Sequence, residues 1–300
     1  MEGHVAAHAA SVWDDRFKTG PPRPRDWLEL PYIVNRYINM AVTGSPDMSW
    51  FTFACLHYVR PAERVLEIGC GANGVGFDLC RLDVARHVVA IDVSPEAIRV
   101  SRDRIAGTHL EDRIDYRCED VTTTDLGEDA FDCVIVNMAL HHMLELEELF
   151  ANVRRCKKPG SLFVMNEYIG PSRFQWTDAA VREGQRLLES LDERYRIHGS
   201  TGEVVRTFTR PGYGAMVAGD ASEAIRSSAI EPLLSTYFEP VDRRPYGGTI
   251  LQWLLADIVA NFDPERRPED AAELERLFTE ERRLLRNGVL QSNFAVIVVR

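Results

Sequence analysis

The residues of this chain whose types and spacing could do chemistry are a carboxylate set against a glycine turn and, further on, two adjacent histidines. In RVLEIGCGANG, Arg64 to Gly74, an apolar run carries Glu67 and passes into Gly69, Gly71 and Gly74. Taken literally the glycines spell G-x-G-x-x-G, which is also a dinucleotide fingerprint and is weak alone. In a dinucleotide site the turn and the following helix N-terminus receive a pyrophosphate, which a carboxylate beside them would repel. A nucleoside ligand that carries positive charge reverses the sign: the acid attracts it, and the glycines let backbone approach closely. Downstream, FDCVIVNMALHHM takes another apolar run to Asn137 and then to His141 and His142. A neutral imidazole can accept a hydroxyl proton near neutral pH. Two neighbouring residues cannot both point into one pocket, so His142 is read as the base and His141 as its packing or hydrogen-bonded partner. Glu167, in LFVMNEY, is the next candidate for that proton.

Acids recur at the ends of the intervening apolar runs. HVVAIDVS brings Asp92, with Val93 beside it, to a point eighteen positions after Gly74. A carboxylate there can accept both hydroxyls of a ribose. IDYRCEDV ends on Glu119, Asp120 and Val121; either acid would reach the adenine amine, since a one-residue slip exchanges them. Asn73 and Gly74, in the glycine turn, complete the candidate cofactor contacts. With these residues in order, the chain resembles the class I S-adenosylmethionine-dependent methyltransferases. The usual motifs are matched by Glu67-Ile68-Gly69-Cys70-Gly71, by Asp92, by Asp120 and by the strand ending at Asn137, over roughly Arg64 to Glu167. The resemblance implies a Rossmann-like α/β fold with a seven-stranded, mostly parallel sheet, S-adenosylmethionine as cofactor, and Asn137 against its methionine portion.

The LHH element is similar to that of small-molecule members of this family, and NEYIGPSRFQWTD at Asn166 to Asp178, with TGSPDMSW at Thr43 to Trp50 upstream, looks like bacterial methyltransferases of glycan or secondary-metabolite pathways. The acceptor is therefore expected to be a small or glycan-like hydroxyl, with amine and carbon acceptors left open. Three other readings stand beside this one. A nicotinamide-dependent oxidoreductase has the glycine spacing in its favour and Glu67 against it. A non-catalytic S-adenosylmethionine-binding protein would keep the acids without needing the histidines. A protein or RNA methyltransferase is disfavoured by Asn137-Met138-Ala139-Leu140, which lacks the Pro-Pro-aromatic element common in base-amine methyltransferases.

These side chains need a scaffold, and the hydropathy pattern supplies one. Strands are expected at Arg64–Ile68, Val88–Asp92, Ile114–Cys118, Cys133–Asn137 and Leu162–Glu167, alternating with helices near Val75–Leu82, Pro95–Ala106 and Leu146–Cys156. Such alternation implies a parallel sheet with helices on both faces. Helices are expected earlier at Trp27–Met40 and Met48–Val59. Later ones are expected at Thr177–Glu193, Ala221–Leu234, Ile250–Ala260 and Pro268–Leu285, with strands at Phe238–Arg244 and Phe294–Val299. Three parts follow: an N-terminal helical lid (1–60), a cofactor-binding core (61–170), and helical cap insertions with the last core strands (171–300). Part of the added helix is alternatively the interface of a homodimer. In NEYIGPSRFQWTD, Tyr168, Arg173 and Trp176 crowd the end of the fifth strand, where they could hold a polar acceptor by hydrogen bonding and stacking.

Composition narrows the partners. The 300 residues suffice for a sizeable core. The net charge of −11 is scattered along the chain, which lowers the prospect of a grip on a phosphate backbone. Asp14, Asp15 and Arg16 interrupt the N-terminus before a long apolar run forms, and no run approaches membrane-spanning length, so a cytosolic protein is expected. The six cysteines form no C-x-x-C pair; reduced, buried thiols are expected, and no metal.

Overall fold

The computed structural model describes residues 24–300 apart from Arg60 and Asn73, so the proposed contact of Asn73 and the opening part of the proposed lid lie outside the described residues. The centre is a seven-stranded sheet of β1 (Ala62–Ile68), β2 (Ala85–Asp92), β3 (Ile114–Cys118), β4 (Phe131–Asn137), β5 (Lys157–Tyr168), β6 (Pro240–Gly247) and β7 (Phe294–Val299), in the order β3-β2-β1-β4-β5-β7-β6. Only β7 runs against its neighbours, pairing antiparallel with both β5 and β6. The strand order reverses between β1 and β4, and such a switch point opens a crevice at the carboxyl ends of the strands.

Both faces of the sheet are covered, which is why its strands are near-continuous apolar runs. Alternate residues divide between the faces: Leu66, Ile68, Val89, Ile91, Val134 and Val136 join one buried cluster, and Val65, Val88, Ala90, Cys133, Ile135 and Val164 the other. Helix α1 (Trp50–His57), α2 (Val75–Arg81) and α3 (Pro95–Ile105) cover the second face, while α4 (Leu146–Cys156) covers the first with Leu146, Leu149, Phe150 and Val153 on one stripe. A third cluster joins Trp27, Ile33, Tyr37 and Trp176 to residues of α5 (Asp178–Ser190) and α7 (Pro268–Arg286), meeting the sheet at Phe294 and Val296.

The added elements depart from expectation where backbone chemistry intervenes. The helix expected at Trp27–Met40 is split: Leu30 is extended because it precedes Pro31. The chain then runs as α-helix over Pro31–Ile33, π-helix over Val34–Asn39 and α-helix over Met40–Thr43. The helix expected from Ala221 begins only at Ile230 as α6 (Ile230–Tyr237), because Asp220 accepts hydrogen bonds from the backbone and hydroxyl of Ser222 and Ala224 takes a positive φ of 47°. Asp257 at φ 58° likewise limits the helix expected at Ile250–Ala260 to Leu251–Leu254 and a short 3-10 turn. Cys118 is exposed rather than buried, lying at the sheet edge where β3 ends. Among the described residues, no helix is long and apolar enough to cross a membrane.

Candidate active site

The glycine turn is built on Glu67. Its side chain is buried beneath the turn, where Oε1 accepts from the backbone N–H of Val75 at 2.6 Å and Oε2 from that of Gly76 at 2.9 Å. A Cβ on Gly76 would sit 2.6 Å from Oε2, so glycine there is the condition for this contact. Burial pushes the Glu67 carboxyl up to about 7; the bonds from Gly76 and Val75 pull it down and Asp92 pushes it up. Gly69 takes φ 67° and lies so close to the end of β4 that a Cβ would overlap that of Ala139. Asp92, at the end of β2, ties the turn from the other side. Its Oδ2 accepts from Gly71 N at 2.8 Å and its Oδ1 from Ser94 N at 2.9 Å.

A cavity of about 330 Å³ opens over the switch point. Of the proposed cofactor contacts, Gly69, Gly71, Asp92, Val93, Glu119, Asp120, Val121 and Asn137 line it, while Glu67, in β1 beneath the turn, and Gly74 lie outside its lining. The two acids of β3's end are placed differently. Asp120 Oδ1 accepts from both the N–H and the hydroxyl of Thr122, whereas a buried oxygen of Glu119 has no hydrogen-bond partner among the described residues. An orphaned buried acceptor costs free energy unless something meets it, and an adenosine offers the amine and hydroxyls that could. The cavity fits an adenosine-bearing cofactor on that ground. Ala72, Thr122, Met138, Ala139 and His142 to Glu145 also contribute to the lining, and of these only His142 was singled out from sequence.

The chemistry-bearing cluster stands at the end of β4. Met138 turns sharply at φ 54°, and a 3-10 turn over Leu140–His142 follows. Glu167, wholly buried in β5, organises that turn. Its Oε2 accepts from Ala139 N at 2.9 Å and Leu140 N at 2.7 Å, and its Oε1 accepts from Tyr168 N at 2.7 Å and meets Nδ1 of His141. Nε2 of the buried His141 lies 3.7 Å from Glu223 Oε1. Burial lowers the affinity of this imidazole for a proton, but Glu167, Glu223 and Asp220 together carry it above its ordinary value.

His142 is half-buried and lines the cofactor cavity. Its Nδ1 is 3.0 Å from Ser222 Oγ, and that hydroxyl donates to Asp220 Oδ1 at 2.6 Å. With its one proton committed to a carboxylate, Ser222 must accept from His142, which puts the ring hydrogen on Nδ1 and the lone pair of the neutral ring on Nε2.

The remaining proposed contacts are tied into the cap. Tyr168 is buried and donates its hydroxyl to Pro171 O at 3.0 Å. Arg173 is buried at φ 56° and donates to the carbonyls of Ala221 (2.6 Å), Glu223 (2.9 Å) and Asp220 (3.4 Å), so it grips the loop that carries Ser222 and Glu223. Trp176 lines a second, larger cavity of about 1560 Å³ with Tyr37 and Tyr246. Tyr246 donates to Asn166 Oδ1, and Asn166 Nδ2 donates to Asn137 Oδ1, which links the walls of the two cavities. None of the described residues before β1 lines the cofactor cavity; Tyr37 and Ala41 line the larger one.

Residues 66–165 match a family model described as a methyltransferase domain. The chain is similar to a demethylmenaquinone methyltransferase of Symbiobacterium thermophilum, at 27% identity over 168 residues that cover 51% of this chain and 65% of that enzyme. It spans between half and two thirds of the length of the curated quinone methyltransferases compared with it. Among solved structures, the [4+2]-cyclase SpnF aligns with 99% of this chain and 94% of its own, at a TM-score of 0.54 and 15% identity. A geranyl diphosphate C-methyltransferase from Streptomyces coelicolor A3(2), in complex with Mg²⁺, geranyl diphosphate and S-adenosylhomocysteine, aligns with 98% and 97% at a TM-score of 0.54 and 12% identity. At those identities the likeness is one of fold, and a fold shared by a cyclase and a methyltransferase leaves the chemistry to be argued from the site.

Proposed function

The chain belongs to the class I S-adenosylmethionine-dependent methyltransferases, with residues 66–165 as its methyltransferase domain, and from that premise we propose that it moves the methyl group of S-adenosylmethionine to a hydroxyl of a small, glycan-like molecule. The observation that carries this reading is the placement of His142: its ring lines the cofactor cavity and its Nδ1 is held by Ser222. In this reading Asp92 takes the ribose hydroxyls, Glu119 the adenine amine or a further hydroxyl, and the chain around Gly69 and Asn137 the methionine portion. The charge of Glu67 acts from beneath the turn. S-adenosylmethionine, when bound, would supply its methyl carbon to the acceptor oxygen and leave as S-adenosylhomocysteine, while His142 Nε2 takes the acceptor proton. Alignment supplies most of the acceleration and proton removal the rest. His141 and Glu167 hold the turn that aims His142; Trp176 walls the acceptor side, and Tyr168 and Arg173 brace it from behind.

The test is a product search. Purified protein incubated with cell extract and isotopically methyl-labelled S-adenosylmethionine should yield one or a few small molecules carrying the label at oxygen. Label found only in protein or RNA would overturn the acceptor class. In a titration, heat from a nicotinamide cofactor with none from S-adenosylmethionine would overturn the reading as a whole.

A further inference from the structure

His141, His142 and Glu223 each offer a ligand atom, and the three atoms lie within 4.8 Å of one another. We propose that these side chains form a binding site for a divalent transition ion of the zinc class, beside the methyl-transfer site. Three features support it, beginning with the tautomers. Nδ1 of His141 faces the Glu167 carboxylate and Nδ1 of His142 faces a hydroxyl committed to Asp220, so both neutral rings carry their lone pair on Nε2. A histidine whose other nitrogen is fixed by a carboxylate, directly or through a hydroxyl, is how metal-ligating imidazoles are usually oriented.

The second feature is the spacing. The 3.7 Å between His141 Nε2 and Glu223 Oε1 is too long for a hydrogen bond. It is close to the separation of about 3.4 Å that two ligands reach around one tetrahedral ion with bonds of about 2.1 Å. A cation seated between the two atoms bonds to both. The third feature is charge. Glu167 and Glu223 flank the two nitrogens of His141, and Asp220 stands behind His142 through Ser222. Arg173 grips the same loop from behind through its carbonyls. Two imidazoles and one carboxylate with no thiolate suit zinc, iron, nickel or copper better than magnesium or calcium.

The site has a consequence that rests on the reading of His142 as the base. The Nε2 lone pair can hold a metal ion or accept a proton, and it cannot do both. Ion binding would therefore switch methyl transfer off, and removing the ion would restore it.

Cobalt(II) is the probe for the test, because its visible absorption reports coordination without any need for turnover. The full chain, freed of metal by chelation, should take up one Co²⁺ per chain, and Zn²⁺ should displace it. Glu223→Gln and His141→Gln should each weaken uptake tenfold or more. Asp220→Asn, which touches no proposed ligand atom, should weaken it about 10- to 100-fold through His142. Affinity for S-adenosylhomocysteine shows that each variant has folded. Absence of one-to-one uptake, or uptake unchanged in both Glu223→Gln and His141→Gln, overturns the site whatever the protein methylates. With an acceptor in hand, transfer that persists at full occupancy overturns the competition and leaves the binding result to stand alone.

Discussion

Replacing Asp92 by alanine tests the cofactor geometry most directly. In the proposed complex this carboxylate accepts both ribose hydroxyls, and hydrogen bonds to a charged acceptor contribute about 1.5–3 kcal/mol each. The gross loss is thus roughly 3–6 kcal/mol. Water enters the space left by the carboxylate, since Asp92 lines an open cavity, and recovers part of that. A net loss of about 2–3 kcal/mol remains, which is roughly a 30- to 150-fold rise in Kd. The variant also leaves Gly71 N and Ser94 N without the acceptor they have at 2.8 and 2.9 Å, so the fold should lose about 1–2 kcal/mol as well. Titration calorimetry with S-adenosylhomocysteine reads the first quantity and urea unfolding the second. Asp92→Asn is the discriminating variant. Whichever way its amide turns, the NH₂ group faces a backbone N–H of Gly71 or Ser94, so the preserved shape should not rescue binding. A folded Asp92→Ala protein that binds within twofold of wild type would refute the assignment of the ribose to this residue.

Other outcomes follow from the same geometry. His142→Ala should lower turnover of the captured acceptor by roughly 10²- to 10⁴-fold, as loss of a general base does, and stopped assays of labelled product measure it. Gly69→Ala should lower stability by about 1–2 kcal/mol from its positive φ alone, and the overlap with Ala139 should displace the turn bearing both histidines; cofactor affinity and unfolding midpoint would both fall. Glu67 gives a pH signature. Its folded carboxyl sits at about 7 against an ordinary value near 4.5, so the native state holds a proton that the unfolded chain releases. The stability it contributes is full below about 4.5 and is lost as pH rises toward about 7. The difference in urea midpoint between wild type and Glu67→Gln should therefore change across that window, and a constant difference would contradict the assignment.

Local pattern carried most of the scaffold. Strand β3 and helix α4, whose bounds agree with expectation, are short amphipathic or apolar runs closed by turns, and the final strand FAVIVV is buried at every residue. The glycine turn was legible because Glu67 and the glycines that make room for it lie within one loop of chain. Asp92 was legible because a strand end can be read from hydropathy. Legibility failed where long-range contacts outweigh local preference. The stretch after Asp220 has helical composition, yet Arg173 takes three of its carbonyls and the Asp220 side chain takes Ser222.

What the sequence determined by itself was the alternation of strands and helices, the acid-and-glycine series along their ends, and hence the cofactor class. The tertiary structure decided which side chains face one another across the site. It set Glu167 against His141, set Ser222 against His142 from eighty residues away, brought Glu223 to the same rings, and turned Arg173 from an acceptor contact in the sequence reading into a grip on that loop. Periodicity reports only whether a residue is buried or exposed on its own element. The distance between two side chains on different elements depends on how the packed layers and their loops close together, and no local pattern encodes that.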